Sequence, residues 1–300
     1  MEPALVATWE DTFTSWAQGP GKTEEQRCEN AIKAIRDAIN KSDQLNHRDI
    51  NVFVQGSYRN RVNVRLDSDV DVAVLCHNTF YYDLPEGATA EGYGIEPSKY
   101  DYSVFKNELQ AALTSHFGSA AVTRCNKAFD IKENSYRVEA DVAPFFDYRE
   151  YSGINRFRAG VKLISDSSEV IKNWPEQHYE NGVSKNDATN RRFKRLVRIF
   201  KRLAINMSDT GESATKDLPG FFIECLVFNV PNDDFGRSSY TDDVRNVIVH
   251  IYQNTKEDDS CKGWTEVNGI KYLFHSTQKW TRQQANAFAL AAWQYVGFTS

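Results

Sequence analysis

Apolar side chains between residues 23 and 40 recur at helical spacing. Cys28, Ala31, Ile32, Ile35, Ala38 and Ile39 fall on one side of a 3.6-residue repeat, which predicts an amphipathic helix. Thr23 and Gln26, three residues apart at its start, have the pattern of a capping box. The period then shortens. "DINVFVQGS" reads as a strand ending in a turn, and "SDVDVAVLC" as a second strand, with the basic loop "RNRVNVR" between them. The two runs are close enough to be neighbours in one sheet. Residues 81–100, rich in Gly, Pro and Tyr, predict a long loop. "YSVFKNELQAALTSHFG" predicts a helix ending at Gly118, and "AVTRCNKAFDIKE" and "SYRVEADVAPFFDY" predict strands. This order of elements predicts an α+β fold with an N-terminal mixed sheet and helices.

After about residue 165 strand signals fade. "NRRFKRLVRIFKRLAINM", "PGFFIECLVFNV" and "TRQQANAFALAAWQYVGF" are helical, and 165–190 reads as a linking region that contains the breaker-rich "NWPEQHYENG". The expected division is 1–165 and 166–300, a sheet domain followed by a helical domain.

Composition narrows the function classes. The longest apolar runs are far too short to span a bilayer. The N-terminal residues show no basic stretch leading into an apolar one, so no signal peptide is read and a cytoplasmic location is expected. The five cysteines are scattered, with no C-x-x-C pair and no histidine at ligand spacing, so neither a zinc module nor a disulfide framework is expected. A net charge of −5 and a pI near 5.8 argue against general nucleic-acid binding, which needs a broad basic surface. A small basic pocket for a nucleoside triphosphate remains open, because positive charge is concentrated at 59–65 and 191–202.

The chemistry is concentrated in "VQGSYRNRVNVRLDSDVDVAV". Aspartate is disfavoured in strands, yet Asp69 and Asp71 stand two apart and share one face, while Val70 and Val72 face the core. Side-by-side carboxylates repel unless a cation neutralises them, and hard oxygen ligands select Mg²⁺ or Mn²⁺. Asp141, in "YRVEADVAPFF", offers a third strand carboxylate. Three carboxylates from two strands suit two divalent ions. Asp67 lies nearer the loop and is read as peripheral to the metal pair. Gly56 lets backbone N–H groups approach a phosphate closely, and Ser57 adds a hydroxyl donor. Each feature alone has a bland alternative, edge-strand acids for the aspartates and a plain turn for Gly-Ser. Their combination is specific.

With Val54, Gly56-Ser57, Asp69-Val70-Asp71 and a later Asp141, the chain resembles the DNA polymerase β-like nucleotidyltransferases. Within them it is similar to the bacterial cGAS/DncV-like nucleotidyltransferases (CD-NTases), relatives of cyclic GMP-AMP synthase and oligoadenylate synthase. "NWPEQHYENG", "FKRLVRIFKRL" and "FFIECLVFNVP" resemble their second half, in that order. The resemblance implies a bilobed fold with an oligoadenylate-synthase-like helical domain and an active site in the cleft between lobes. It implies a nucleotidyltransferase that releases pyrophosphate from NTPs, at least one of them a purine, and closes a cyclic di- or trinucleotide. In antiphage (CBASS) signalling such a product activates a separate effector, and regulatory proteins of the same operon are further partners. No membrane contact is expected, and the chain is read as a monomer. By position, Asp69, Asp71 and Asp141 would be catalytic and hold two Mg²⁺ or Mn²⁺ ions, and Gly56 and Ser57 would hold the triphosphate.

Lys194, Arg198, Lys201 and Arg202 recur at i, i+3/4 opposite Phe193, Leu196, Val197, Phe200 and Leu203. A charge run is usually a solvated face, but four like charges on one stripe destabilise each other, and a polyphosphate would offset that. In the resembled family a lysine of this helix reaches the triphosphate. Lys201 matches best, with Arg198 and Lys194 as alternates. Gly220 stands where those relatives often carry a triphosphate-contacting serine, and only a backbone N–H is left to substitute. Tyr58, Arg59, Arg61 and Arg65 are equally readable as phosphate contacts or as a solvated loop, and Trp174 and His178 as linker packing. The competing functions are a template-independent transferase acting on RNA, a protein or a small molecule, and a non-catalytic nucleotide-binding regulator.

Overall fold

The computed structural model describes residues 8–64 and 69–299. Asp67 and Arg65 lie outside the described residues. The fold is α+β: a seven-stranded mixed sheet with helices, followed by a helical C-terminal region.

Helix α1 (Trp9–Trp16) is followed by α2 (Lys22–Asn40). The six apolar residues that predicted α2 are all buried. The helix begins at Lys22 with Gly21 as its N-cap and no side-chain cap, so the expected Thr23–Gln26 box does not form; Thr23 is already inside the first turn. Strand β1 (Ile50–Val54), the single turn α3 (Gly56–Arg59) and β2 (Val70–Asp83) come next. β1 and β2 pair antiparallel from Ile50↔Cys76 to Val54↔Val72, as neighbours. β2 runs through Tyr81–Asp83, and a 3-10 turn at Glu91–Tyr93 interrupts the rest of the expected loop.

Helix α4 (Tyr102–Phe117) ends at Gly118, whose φ of +84° suits glycine. It leads through β3 (Val122–Arg124) and β4 (Phe129–Ile131) to β5 (Ala140–Gly153). β5 pairs parallel with β2 and antiparallel with β4. Strands β6 (Arg156–Ile164) and β7 (Val170–Asn173) extend the sheet along the C-terminal half of β5. Strand structure therefore continues past residue 165, contrary to the expected linker. The first half of β6 is exposed and charged, so its apolar alternation was too short to read. Pro175 opens helix α5 (Pro175–Ala188), at the one helical position where its missing N–H costs nothing.

Helices α6 (Arg192–Asp209), α7 (Gly220–Phe228), α8 (Tyr240–Asn254), the single turn α9 (Asp258–Cys261) and α10 (Arg282–Val296) complete the chain. The compact units are not those of one cut at 165/166. One comprises residues 21–59 and 69–176, the other 8–20, 60–64 and 177–299. The reason is packing: Phe13 and Ala17 of the N-terminal segment are buried in the same core as α6, α7, α8 and α10. The sheet unit has its own core, made by α2, α4 and the strands. No helix among the described residues is long and apolar enough to cross a membrane.

Candidate active site

Three strands of the sheet unit carry the same local pattern, apolar–Asp–apolar. Val70-Asp71-Val72 opens β2, Ala140-Asp141-Val142 opens β5, and Phe129-Asp130-Ile131 is the whole of β4. In each, the flanking residues are buried and the aspartate is half-buried. Register then aligns them. Asp71 pairs with Asp141 across β2–β5, and Asp130 pairs with Asp141 across β4–β5. Paired residues in adjacent strands point to the same face, so three carboxylates lie in a row. Asp69, exposed and one residue before β2, shares the phase of Asp71.

The electrostatics reflect this crowding. Burial first, then the charges of Asp69, Asp130 and Asp71, push the Asp141 carboxyl up to about 7, and a hydrogen bond with Asp130 adds to it. Asp130 also accepts a hydrogen bond from the Cys125 thiol at 2.9 Å. That bond and then burial raise the thiol to about 11. Among the described residues no three His, Cys, Asp or Glu side chains already form a cage for a metal ion. The donor set is nonetheless all hard oxygen, and the three charges that weigh most on Asp141 are all negative. Both are what Mg²⁺ or Mn²⁺ would answer.

The Gly-Ser turn is built against the same centre. The backbone N–H of Gln55 donates to the Asp71 carbonyl at 2.9 Å. Gly56 follows at φ +64°, and a Cβ there would stand 2.0 Å from Asp71 Oδ2. Only glycine suits both that conformation and that approach. Ser57 is half-buried in the same turn, and the Tyr58 hydroxyl donates to the Glu25 carbonyl. Arg59 pairs with Glu176, tying together the two points at which the chain leaves the sheet unit. Trp174 packs edge-on against Tyr148 with ring centroids 5.9 Å apart.

The basic helix α6 is not a solvated face. Lys201 is 7% exposed and Arg198 8%. The Arg198 guanidinium donates through Nε to the Ala17 carbonyl at 2.8 Å, and through its other nitrogens to the carbonyls of Ala17 and Arg61. Arg198 was expected as an alternate triphosphate contact; instead its donors tie the N-terminal segment and the 60–64 segment to α6. Lys194 is half-buried, its ammonium 5.7 Å from the Tyr179 ring centroid. Burial lowers its pKa, as does the charge of Arg61, against the opposing pull of Glu224. Lys201 Nζ lies 3.7 Å from Glu224 Oε2. The other Glu224 oxygen meets His178 Nε2 at 3.0 Å, so His178 is not mere linker packing. Burial pushes the Glu224 carboxyl upward, but Lys201 and His178 together outweigh it and hold it below the usual range.

The profile of the cGAS/DncV-like nucleotidyltransferase C-terminal helical domain matches residues 180–297. The chain is 41% identical to the cyclic dipyrimidine nucleotide synthase CdnE of Cecembia lonarensis, over 96% of this chain and 98% of that one. It is 44% identical to the enzyme of the same name from Legionella pneumophila, with the same coverage. The solved structure of Elizabethkingia meningoseptica CdnE cyclic dinucleotide synthase with GTP and Apcpp is similar, with a TM-score of 0.80 at 37% identity, covering 96% of this chain and 99% of that one.

The chain belongs to the cGAS/DncV-like nucleotidyltransferases. In this CD-NTase, β2, β5 and the Gly-Ser turn bring together Asp69, Asp71, Asp141 and Gly56. Lys194, Arg198 and Lys201 share α6, and Arg198 donates to the backbone carbonyls of Ala17 and Arg61 in its own unit. Sequence reading missed Asp130. Its signal was present in "AFDI", the same apolar–Asp–apolar triplet, but which strand stands beside Asp141 is a matter of tertiary pairing.

Proposed function

We propose that this CD-NTase makes a cyclic dinucleotide from nucleoside triphosphates, releasing pyrophosphate, as a cytoplasmic signal in antiphage defence. The observation that carries the reading is the pairing of Asp71 with Asp141 beside Gly56. Asp69, Asp71 and Asp141 would hold two Mg²⁺ or Mn²⁺ ions once their side chains turn onto them. Bound there, such ions lower the pKa of an attacking hydroxyl and steady the leaving pyrophosphate. Gly56 leaves the backbone bare for the triphosphate to approach, with Ser57 as hydroxyl donor. Lys201 is the α6 side chain read as an ammonium contact for a triphosphate. Arg198 is tied to the carbonyls of Ala17 and Arg61, while Lys194 remains an alternate.

Names of relatives bear on the bases. Two relatives above 40% identity are called dipyrimidine synthases, and one at 38% is called a dipurine synthase. The expectation of at least one purine therefore becomes one arm of the test. The protein is incubated with UTP and CTP, with ATP and GTP, and with all four, in Mg²⁺ or Mn²⁺. Pyrophosphate release and a phosphatase-resistant dinucleotide by mass spectrometry are expected. Asp69→Ala plus Asp71→Ala should lower the rate more than about a thousandfold, the scale of several kcal/mol of transition-state stabilisation. Full activity in that double variant would sink the metal assignment. Products that are only linear or macromolecule-attached would favour a transferase with another acceptor, and no pyrophosphate at all a non-catalytic regulator.

A further inference from the structure

Glu224 is 3% exposed, an unusual place for a carboxylate unless it is paired. Its partners come from two other helices: His178 on α5 at 3.0 Å and Lys201 on α6 at 3.7 Å. Three helices thus meet at one buried acid. Gly220 lies four residues before Glu224, one turn away on the same side of α7. A Cβ at Gly220 would lie 3.4 Å from Lys201 Cε and 3.7 Å from its Nζ. The Lys201 side chain therefore runs along the first turn of α7, past Gly220, with its charge directed at Glu224. The His178 ring, 5.6 Å from that of Phe221, steadies the other carboxylate oxygen.

We propose that Glu224 is a positioning residue, whose carboxylate, steadied by His178, holds the Lys201 ammonium at the first turn of α7 in the place where it meets a nucleotide polyphosphate. Lysine has a long side chain with much rotamer freedom, and a fixed counter-charge removes part of the cost of ordering it from substrate binding. At 3.7 Å the contact is longer than an N–H···O bond. It orients the ammonium by charge, and a phosphate oxygen can compete with so long a contact. Beside its contacts with Lys201 and His178, Glu224 also feels the charge of Lys194. This gives Gly220 a reason: Lys201 covers the turn where a serine was expected.

The proposal rests on the reading of Lys201 as a triphosphate contact, and a mutant cycle separates the two. KM for each NTP, kcat and Tm are measured for the wild type, Lys201→Met, Glu224→Gln and the double variant, with ATP, GTP, CTP and UTP as probes. Lys201→Met should raise KM about tenfold or more. Glu224→Gln should raise KM several-fold with kcat changed less, and the double variant should match Lys201→Met alone, because the two act as a unit. An unchanged KM in Lys201→Met removes the underlying reading. A raised KM there with an unchanged KM in Glu224→Gln, or effects that multiply in the double variant, overturns the positioning role. Should Glu224→Gln fail to fold, Glu224→Asp, which keeps the charge but draws it back by a methylene, takes its place in the same cycle with the same criteria.

Discussion

Two carboxylates, Asp141 in the sheet unit and Glu224 in the helical unit, meet opposite surroundings. On β2, β5 and β4, Asp71, Asp141 and Asp130 stand in a row, and the strongest charges acting on Asp141 are other carboxylates. On α7, Glu224 is more deeply buried, yet it contacts basic side chains of α5 and α6. The first arrangement raises an acid and the second lowers one. The sheet unit does pair other acids with cations, Asp166 with Lys106 and Arg124, so the crowding at Asp141 is particular to that row.

The sharpest way to break this comparison is at Gly56. Gly56→Ala places a methyl into the Asp71 carboxylate and strains a left-handed residue. Displacement of a group at the reacting centre on the order of 1 Å costs about a hundredfold in rate, whereas the backbone strain is only about 1–2 kcal/mol. Activity should collapse while the protein stays folded by circular dichroism. Near-normal activity would mean that the Gly-Ser turn is only a turn.

Asp130 tests how far the row extends. If its charge belongs to the metal centre, Asp130→Asn should weaken Mn²⁺ binding about tenfold, measured by electron paramagnetic resonance of the free ion. Unchanged affinity would limit the centre to Asp69, Asp71 and Asp141.

Arg198 tests the opposite side of the comparison. Its guanidinium satisfies carbonyls at Ala17 and Arg61, so Arg198→Met should cost about 2–4 kcal/mol of stability by urea unfolding. KM for the NTPs should not change. A raised KM with intact stability would return Arg198 to the triphosphate contacts.

The smallest effect is also the most diagnostic, because Asp141 and Glu224 should give opposite pH slopes. Asp141 has a raised folded pKa, about 7 against an ordinary 3.8. Its contribution to stability is therefore complete below about 4 and is lost as pH rises through about 7. Glu224 has a lowered folded pKa, so its contribution is present above the ordinary glutamate value and is lost as pH falls through the folded one. In metal-free protein, Asp141→Asn should flatten the neutral side of the Tm–pH curve and Glu224→Gln the acid side. Added Mn²⁺, which binds the deprotonated carboxylates, should raise Tm more at pH 8 than at pH 5. Equal shifts at both pH values would separate Asp141 from the ion.

Much of this was legible without coordinates. The phase of Asp69 and Asp71, the Gly-Ser turn, the strand bearing Asp141 and the amphipathic helices all follow from local rules, because side-chain direction alternates along a strand and repeats every 3.6 residues along a helix. The same rules showed which face of α6 is basic. They left open where that face goes. A stripe of arginine and lysine looks the same in sequence whether water, backbone carbonyls or a buried glutamate will meet it, since those partners come from residues far apart in the chain. Burial of Arg198 against Ala17, the pairing of Lys201 with Glu224, the inclusion of residues 8–20 with the helices, and the choice of Asp130 as the neighbour of Asp141 are all long-range packing decisions. The sequence determined which residues could carry charge and toward which side of its own element each points. The tertiary structure alone decided which charges were left to crowd and which were matched, because that depends on what each face is packed against.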